Sequence, residues 1–206
     1  YIEVTNAFGS SRLQEATSST FPAFHDLLII LWESFRMVGE CEKADKLMEL
    51  IEKNDCELST SLSLYLSLST GNLPEAEIIT EGTLREGAVD CLTQSFYTAA
   101  KSPKTAEILN AVLPGAGYWY VGEKRSAVTS FIINALFGWA TYQFFEQGYT
   151  AAGLITLSLE TGWYFGGING AGLEAKYYNE RLYHQNAECM MTDALLFPAL
   201  MLDFSF

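Results

Sequence analysis

The chain has 206 residues and a formal net charge of −13, with 49% hydrophobic and only 18% charged residues. Because nucleic-acid binding depends on Lys and Arg neutralising phosphates, this acidic balance excludes a nucleic-acid-binding protein. A soluble globular domain has about 25% charged residues, so part of the chain is unusually apolar. Residues 1–104 contain 16 acids and 8 bases, whereas residues 105–206 contain 9 acids and 4 bases, which places the apolar excess in the second half.

Residues 1–23 are rich in small polar residues and predict a flexible arm. The chain begins at Tyr1 with neither Met nor a signal pattern, which fits either a removed signal or a fragment of a longer chain. The four cysteines form no CxxC pair and have no His at ligand spacing, so we expect no metal site and no cofactor. A disulfide between Cys56 and Cys91 stays open beside the simpler interpretation of buried free thiols.

Residues 24–104 have the apolar periodicity of paired helices. Apolar side chains recur every three or four positions between residues 24 and 38, which predicts an amphipathic helix that ends at Gly39. A second amphipathic segment follows over residues 41–54, and the same layout recurs on either side of Gly71. The pattern predicts a domain of stacked helical pairs.

The two pairs repeat at a shift of 32 residues, which aligns Gly39 and Ala44 with Gly71 and Ala76. A Gly at the turn between two helices, followed by a small Ala, resembles the tetratricopeptide family. That resemblance implies close helix packing at the Ala and a concave surface for a protein partner. An ordinary small helical bundle without a partner groove remains the alternative.

The second half contains two long apolar stretches. Residues 127–145 carry no charge, and residues 151–171 carry only Glu160. Nineteen helical residues extend about 28 Å, close to the bilayer's hydrocarbon core of about 30 Å. The short connection between the stretches makes them antiparallel neighbours. We therefore predict an all-α protein in which tetratricopeptide-like helical pairs are followed by a transmembrane helical hairpin; two core helices of a soluble protein are the alternative.

The hairpin contains two candidate sites. An ionisable group inside a bilayer is costly unless it is paired or neutral, and Asn134 lies at nearly the depth of Glu160, so we predict a hydrogen bond between them. This intramembrane polar pair either locks the hairpin or relays protons or ions. A ladder of small residues permits close helix packing, either onto the first span or in a homodimer. The ladder consists of Ser158, Gly162, Gly166 and Gly170.

A Pro- and Gly-rich signature precedes the hairpin and predicts a tight turn. Its pattern, P-G-x-G-x-x-Y-x-G, resembles that of a bacterial two-span membrane domain family of unknown function, over residues 105–183. The resemblance implies membrane placement and is silent on activity. The signature residues are Pro114, Gly115, Gly117, Tyr120 and Gly122.

These patterns predict four segments: a flexible arm over 1–23, a helical-repeat domain over 24–104, a membrane hairpin domain over 105–183 and a C-terminal tail over 184–206. The last residues of the tail, 194–206, are predicted to be extended. Basic residues flank the hairpin and are missing from its loop, which places both ends in the cytoplasm; a removed signal would reverse this, so the side stays open.

The functional prediction is a membrane-anchored helical-repeat protein of the bacterial envelope, in the inner rather than the outer membrane. It would contact membrane lipid through the hairpin and a protein partner or scaffold through the repeats. The alternative is a transport or membrane-assembly component that uses Glu160 within the bilayer. His25 and His184 stand alone without a nucleophile, so we expect no catalytic residue.

Overall fold

The computed structural model describes residues 1–10 and 23–202, and these residues are helical with no strand among them. The all-α class is therefore confirmed. The helices of the described residues are α1 (Ile2–Ser10), α2 (Phe24–Val38), α3 (Cys41–Asn54), α4 (Cys56–Thr70), α5 (Leu73–Thr80), α6 (Glu86–Ala99), α7 (Pro103–Val112), α8 (Ala116–Val121), α9 (Lys124–Glu146) and α10 (Thr150–Asp193), with a 3₁₀ turn at Pro198–Leu200.

The chain forms two compact units. Unit 1 comprises Tyr1–Gln94 and Asn186–Phe206, and unit 2 comprises Ser95–Gln185. The second unit thus begins before the predicted boundary at residue 105. The residues that follow 185 belong to unit 1 and do not form a separate tail.

Two predictions about the chain ends need correction. Ile2–Ser10 of the predicted flexible arm form α1, which contacts α2, because packing against a neighbour stabilises a helix whose composition alone does not. The segment predicted to be extended begins where α10 ends at Asp193, and it contains the 3₁₀ turn, where Pro198 takes the first position. Residues 11–22 and 203–206 lie outside the described residues.

Unit 1 contains the predicted helical pairs. Consecutive helices from α2 to α5 contact one another. Gly39 ends α2 at φ +86° and Gly71 ends α4 at φ +78°, a left-handed conformation that favours glycine. Both turns have the same two cap hydrogen bonds, and in the second the amides of Gly71 and Asn72 donate to Leu68 and Ser67. The predicted turns and their shift of 32 residues are confirmed.

A cation–aromatic cluster surrounds Trp32 on α2. The Trp32 and Tyr65 rings meet edge to face at 6.3 Å, and the Arg36 guanidinium lies 5.4 and 5.5 Å from their centres. Burial lowers the pKa of Arg36, but its hydrogen bond and charge pairing with Glu33 outweigh that effect and raise the pKa overall. The Trp32 ring is buried because Tyr65 and Arg36 pack against it.

Both alanines that align at the shift of 32 residues, Ala44 and Ala76, are buried, and Ala76 is 0% exposed. Replacing Ala76 with Leu should therefore lower the free energy of unfolding of the full chain by about 1–3 kcal/mol, because the added carbons have no free space. Chemical denaturation measures this. The control is Ala88→Leu on α6, an exposed helical position, and a similar loss in the control would refute close packing at Ala76.

All four cysteines, Cys41, Cys56, Cys91 and Cys189, are free and exposed. The disulfide left open between Cys56 and Cys91 is not formed. The interpretation of these thiols as buried is wrong, since each lies on a solvent-facing side of its helix.

Unit 2 has a core of small residues. Ala106, Ala171 and Ala175 are fully buried, together with Val121, and the rings of tyrosines pack around them. Small side chains let the helix backbones approach closely, so this core is narrow. The predicted hairpin is present, because the Oγ1 atoms of Thr141 on α9 and Thr156 on α10 are hydrogen-bonded at 3.0 Å.

Among the described residues, no helix combines the length and the apolar character that crossing a membrane requires.

Tyr183 makes the stability of unit 2 depend on pH. Its buried ring packs edge to face on Phe96 at 5.6 Å, and burial raises the pKa of its hydroxyl above the ordinary value of 10. The folded state thus holds this proton more tightly than the unfolded state. The resulting stability is present below pH 10 and is lost as the pH rises through the folded-state pKa.

We expect the denaturant concentration at the unfolding midpoint of the full chain to decrease when the pH is raised from 8 to 11, partly because Tyr183 titrates. Tyr183→Phe keeps the ring on Phe96 and removes the titrating hydroxyl, so the fall should be smaller in this variant. Tyr97→Phe, at an exposed tyrosine of α6, is the control and should leave the fall unchanged. Equal falls in the wild type and Tyr183→Phe would contradict the prediction.

Candidate functional site

The signature forms a turn between α7 and α9. After α7 ends at Val112, the chain turns through Pro114 and Gly115, the latter at φ +93°, and enters the short helix α8, which Gly122 closes at φ +100°. The Gly115 amide donates a hydrogen bond of 2.8 Å to Asn110 Oδ1. The predicted tight turn is confirmed.

Two signature glycines lie where helices meet. A Cβ on Gly117 would run into the carbonyl of Ala106 and would stand 2.8 Å from the Cβ atoms of Asn110 and Ala171. A Cβ on Gly115 would run into the carbonyl of Ala127. Glycine at these positions therefore lets α7, α8, α9 and α10 approach one another.

Tyr120 and Asn179 fix the start of unit 2. The Tyr120 hydroxyl accepts a hydrogen bond from the Ser102 amide at 3.2 Å, and its ring lies 5.1 Å from Lys101 Nζ. The Asn179 amide accepts from the Lys101 N–H at 2.7 Å and donates to its carbonyl at 2.8 Å. The sequence interpretation missed Asn110 and Asn179; the available signal was an Asn beside an apolar or helix-breaking segment.

The hairpin has an inverted distribution of polarity. Three of the four buried residues of α9 are polar: Ser130, Asn134 and Thr141. The exposed positions of α9 and the first half of α10 are instead occupied by large apolar side chains, here called the apolar belt. The belt consists of Val128, Phe131, Ile132, Leu136 and Trp139 on α9 and of Leu154, Ile155, Leu159, Trp163 and Phe165 on α10.

The exposed apolar side chains of the belt are stabilised when a protein or lipid surface buries them. Burying one large apolar side chain contributes about 1.5–3 kcal/mol, and exposed patches of this extent mark protein or membrane contact. No charged residue interrupts the belt on α9 between Ser126 and Phe145. The outer surface of the hairpin is therefore suited to an apolar environment.

Polar groups that face one another across the hairpin form what we call the polar seam: Ser130, Asn134, Thr141, Thr156 and Glu160. The Asn134 amide donates to the Ser130 carbonyl at 2.6 Å. Three buried oxygens of the seam have no hydrogen-bond partner among the described residues, namely Ser130 Oγ, Asn134 Oδ1 and Glu160 Oε2.

The predicted hydrogen bond between Asn134 and Glu160 is not formed. The cause is the register of the hairpin. Pairing of Thr141 with Thr156 brings Asn134 level with Trp163, three residues or about 4.5 Å of helix rise from Glu160. The two residues share the seam but lie in different layers.

The small-residue ladder divides into two parts. A Cβ on Gly170 would run into the Tyr118 hydroxyl, so this glycine permits packing within unit 2. At Gly162 and Gly166 a Cβ would meet only open space, and Ser158 is exposed with its hydroxyl donating to its own helix. The ladder is therefore not a single surface packed against the first helix of the hairpin.

No protein-family model, curated protein or solved structure matches this chain. The site consists of a turn that glycines permit and a hairpin. The hairpin has polar residues inside and an apolar outer surface.

Proposed function

We propose that the chain is a membrane-anchored helical-repeat protein of the bacterial envelope. Unit 2 embeds its hairpin in lipid, and unit 1 binds a protein partner. The observation that carries this proposal is the inverted polarity of the hairpin, with Ser130, Asn134 and Thr141 inside and the apolar belt outside.

The distribution of residues between the faces of the hairpin supports lipid as the cover. Polar residues in membrane helices face the interior of a bundle, and apolar residues face the acyl chains. Mean hydropathy averages both faces of a helix, so Asn134 and Glu160 lower it although each lies at the seam.

The stacked pairs of unit 1 support partner binding. Successive helical pairs bury their faces against one another and leave an extended surface open. On α3 that surface is charged and of mixed sign, with exposed acids at Glu42, Asp45, Glu49 and Glu52 and exposed bases at Lys43, Lys46 and Lys53. A partner with a matching pattern of opposite charges would be recognised there by charge complementarity, which favours the right partner and speeds association.

The anchor is tested by fractionating cells that express the full chain and washing the membranes at high pH with carbonate. We expect the chain to remain in the membrane pellet and to float with lipid on a density gradient. Release by carbonate would show that a peripheral partner covers the belt, and would refute the anchor.

Partner binding is tested separately in the same membranes. Reversing the charges of Glu42, Glu49 and Glu52 to Lys should abolish chemical cross-linking to the partner and leave the chain in the pellet. An unchanged cross-linking pattern would refute a role of these three acids of α3 in partner binding.

A second function is favoured by one specific observation, the unpartnered Glu160 Oε2 in the polar seam. Under this alternative the hairpin is a transport or membrane-assembly component in which Glu160 exchanges a proton or ion. Glu160→Gln keeps the shape and removes the charge. Loss of proton uptake by vesicles containing the otherwise intact variant would support the alternative; uptake equal in wild type and variant would refute it.

A further inference from the structure

A groove of about 560 Å³ runs along the hairpin of unit 2, within the range of about 300–1,000 Å³ typical of small-molecule sites. One wall belongs to α9 and is lined by Arg125, Ser126, Thr129 and Ser130. The opposite wall belongs to α10 and contains Trp163 with glycines on either side. One wall is therefore cationic and rich in donors, and the other is flat and apolar.

The floor of the groove is open. A Cβ on Gly162 or on Gly166 would meet no atom within 4 Å, so nothing within unit 2 fills the space above these glycines. The missing side chains let an occupant lie directly against the backbone of α10. A flexible hydrocarbon chain suits such a floor because its shape follows a smooth helix surface.

The groove also contains an unsatisfied polar group. Ser130 lines the groove, is 7% exposed, and its Oγ has no hydrogen-bond partner among the described residues. A buried hydroxyl without a partner destabilises the folded state by about 1–3 kcal/mol, and a turn of the Ser130 side chain toward the groove would let an oxygen of the occupant relieve that cost. Arg125 likewise forms no ion pair with any residue that the structure describes.

We propose that this groove binds one anionic phospholipid, with its phosphate at Arg125 and one acyl chain along Gly162 and Gly166. A guanidinium beside hydroxyl donors matches a phosphate, which accepts several charge-assisted hydrogen bonds. Arg125 stands where the charge-free stretch of α9 begins, the depth at which a headgroup meets its acyl chains. The proposal rests on the proposed membrane anchor.

A helix of a second copy is the competing occupant, since small residues on α10 could receive it. Such a helix would cover Arg125 and the hydroxyls of Ser126 and Thr129 without a negative partner, because the ladder face of α10 offers only glycines and Ser158. An uncompensated charge in an interface is costly. Charge complementarity therefore favours the anionic lipid.

The test uses the full chain purified in mild detergent from vesicles of phosphatidylcholine with or without phosphatidylglycerol. Phospholipid retained per chain is counted by mass spectrometry. Arg125→Gln removes the phosphate contact, and Lys124→Gln is the matched control, because Lys124 is an adjacent exposed cation outside the groove lining. Gly166→Leu fills the floor, and Gly138→Leu, also at an open helical position, is its control.

We expect the wild type and both controls to retain about one phosphatidylglycerol, and Arg125→Gln and Gly166→Leu to retain about tenfold less. Equal losses in Arg125→Gln and Lys124→Gln would overturn the site in favour of general attraction to basic residues. Equal retention of phosphatidylcholine, which has the same phosphodiester but a cationic choline, would overturn the preference for an anionic lipid. Binding of inorganic phosphate that needs Arg125, without retained lipid, would assign the groove to free phosphate and overturn the lipid.

Two further readouts separate the possible failures. A dimer that Gly166→Leu dissociates, with lipid retention unchanged, would overturn the proposal and assign the groove to a second copy. Vesicle flotation of the same samples reports on the anchor. A wild type that floats but retains no lipid refutes only the groove, whereas a wild type that fails to float refutes the proposed anchor as well.

Discussion

Replacing Leu136 with Asp is expected to release the full chain from membranes. Leu136 lies in the middle of α9 and is 58% exposed, at the centre of the apolar belt. If lipid covers the belt, an aspartate there costs about 2.5–3.5 kcal/mol at the middle of a membrane helix. Since about 1.4 kcal/mol corresponds to a factor of ten, the ratio of bound to free chain should fall about hundredfold.

The matched control for Leu136→Asp is Ile78→Asp on α5 of unit 1. Ile78 is also a large apolar residue on a helix and is 73% exposed, but it lies outside the belt. Both changes place the same carboxylate on a helix surface, so both carry a similar cost in helix propensity. Flotation with phospholipid vesicles measures the outcome. Equal binding of the two variants would show that lipid does not cover the belt.

The repeat architecture was predictable because it depends on local chemistry. Gly39 and Gly71 end helices in the left-handed conformation, and a glycine that interrupts an apolar period of three or four residues is visible in the sequence. The signature turn was predictable for the same reason, since Pro114 and Gly115 cannot continue α7. Each of these features is determined within about one helical turn.

The errors arose where a contact joins distant residues. The Asn134–Glu160 pair assumed that the two residues lie at nearly the same depth, whereas the Thr141–Thr156 hydrogen bond places Asn134 level with Trp163, three residues from Glu160. The role of Asn179 depends on Lys101, 78 positions away, and no periodicity reports such a contact. The role of Asn110 could not be predicted for a related reason, because its hydrogen-bond partner is the backbone amide of Gly115 in the turn.

The ladder shows how a correct local pattern misleads about its partner. Glycines every four residues do align on one face of α10, but Gly170 faces Tyr118 and Gly162 faces open space. The four-residue spacing determines which face of α10 the glycines occupy. Which element packs against that face depends on the position of α8 in the folded unit. Only the assembled unit 2 separates a glycine that permits packing from one that borders a groove.

Replacing Gly117 with Ala is expected to destabilise unit 2 strongly. The added Cβ would overlap the Ala106 carbonyl and would stand 2.8 Å from the Cβ atoms of both Asn110 and Ala171. Backbone and Cβ atoms cannot rotate away as a long side chain can, so helices α7 and α10 must separate. We expect the unfolding free energy of the full chain to fall by about 3 kcal/mol, the upper end of overpacking costs.

Gly138→Ala is the matched control, because a Cβ there meets open space in the middle of α9. Alanine favours a helix over glycine by about 1 kcal/mol, so the same chemical change should raise stability at this position and lower it at Gly117. Thermal loss of helical circular dichroism in detergent gives both values. Stabilisation by Gly117→Ala would mean that α8 does not lie against α7 and α10, and that Gly117 serves the signature turn only through local backbone freedom.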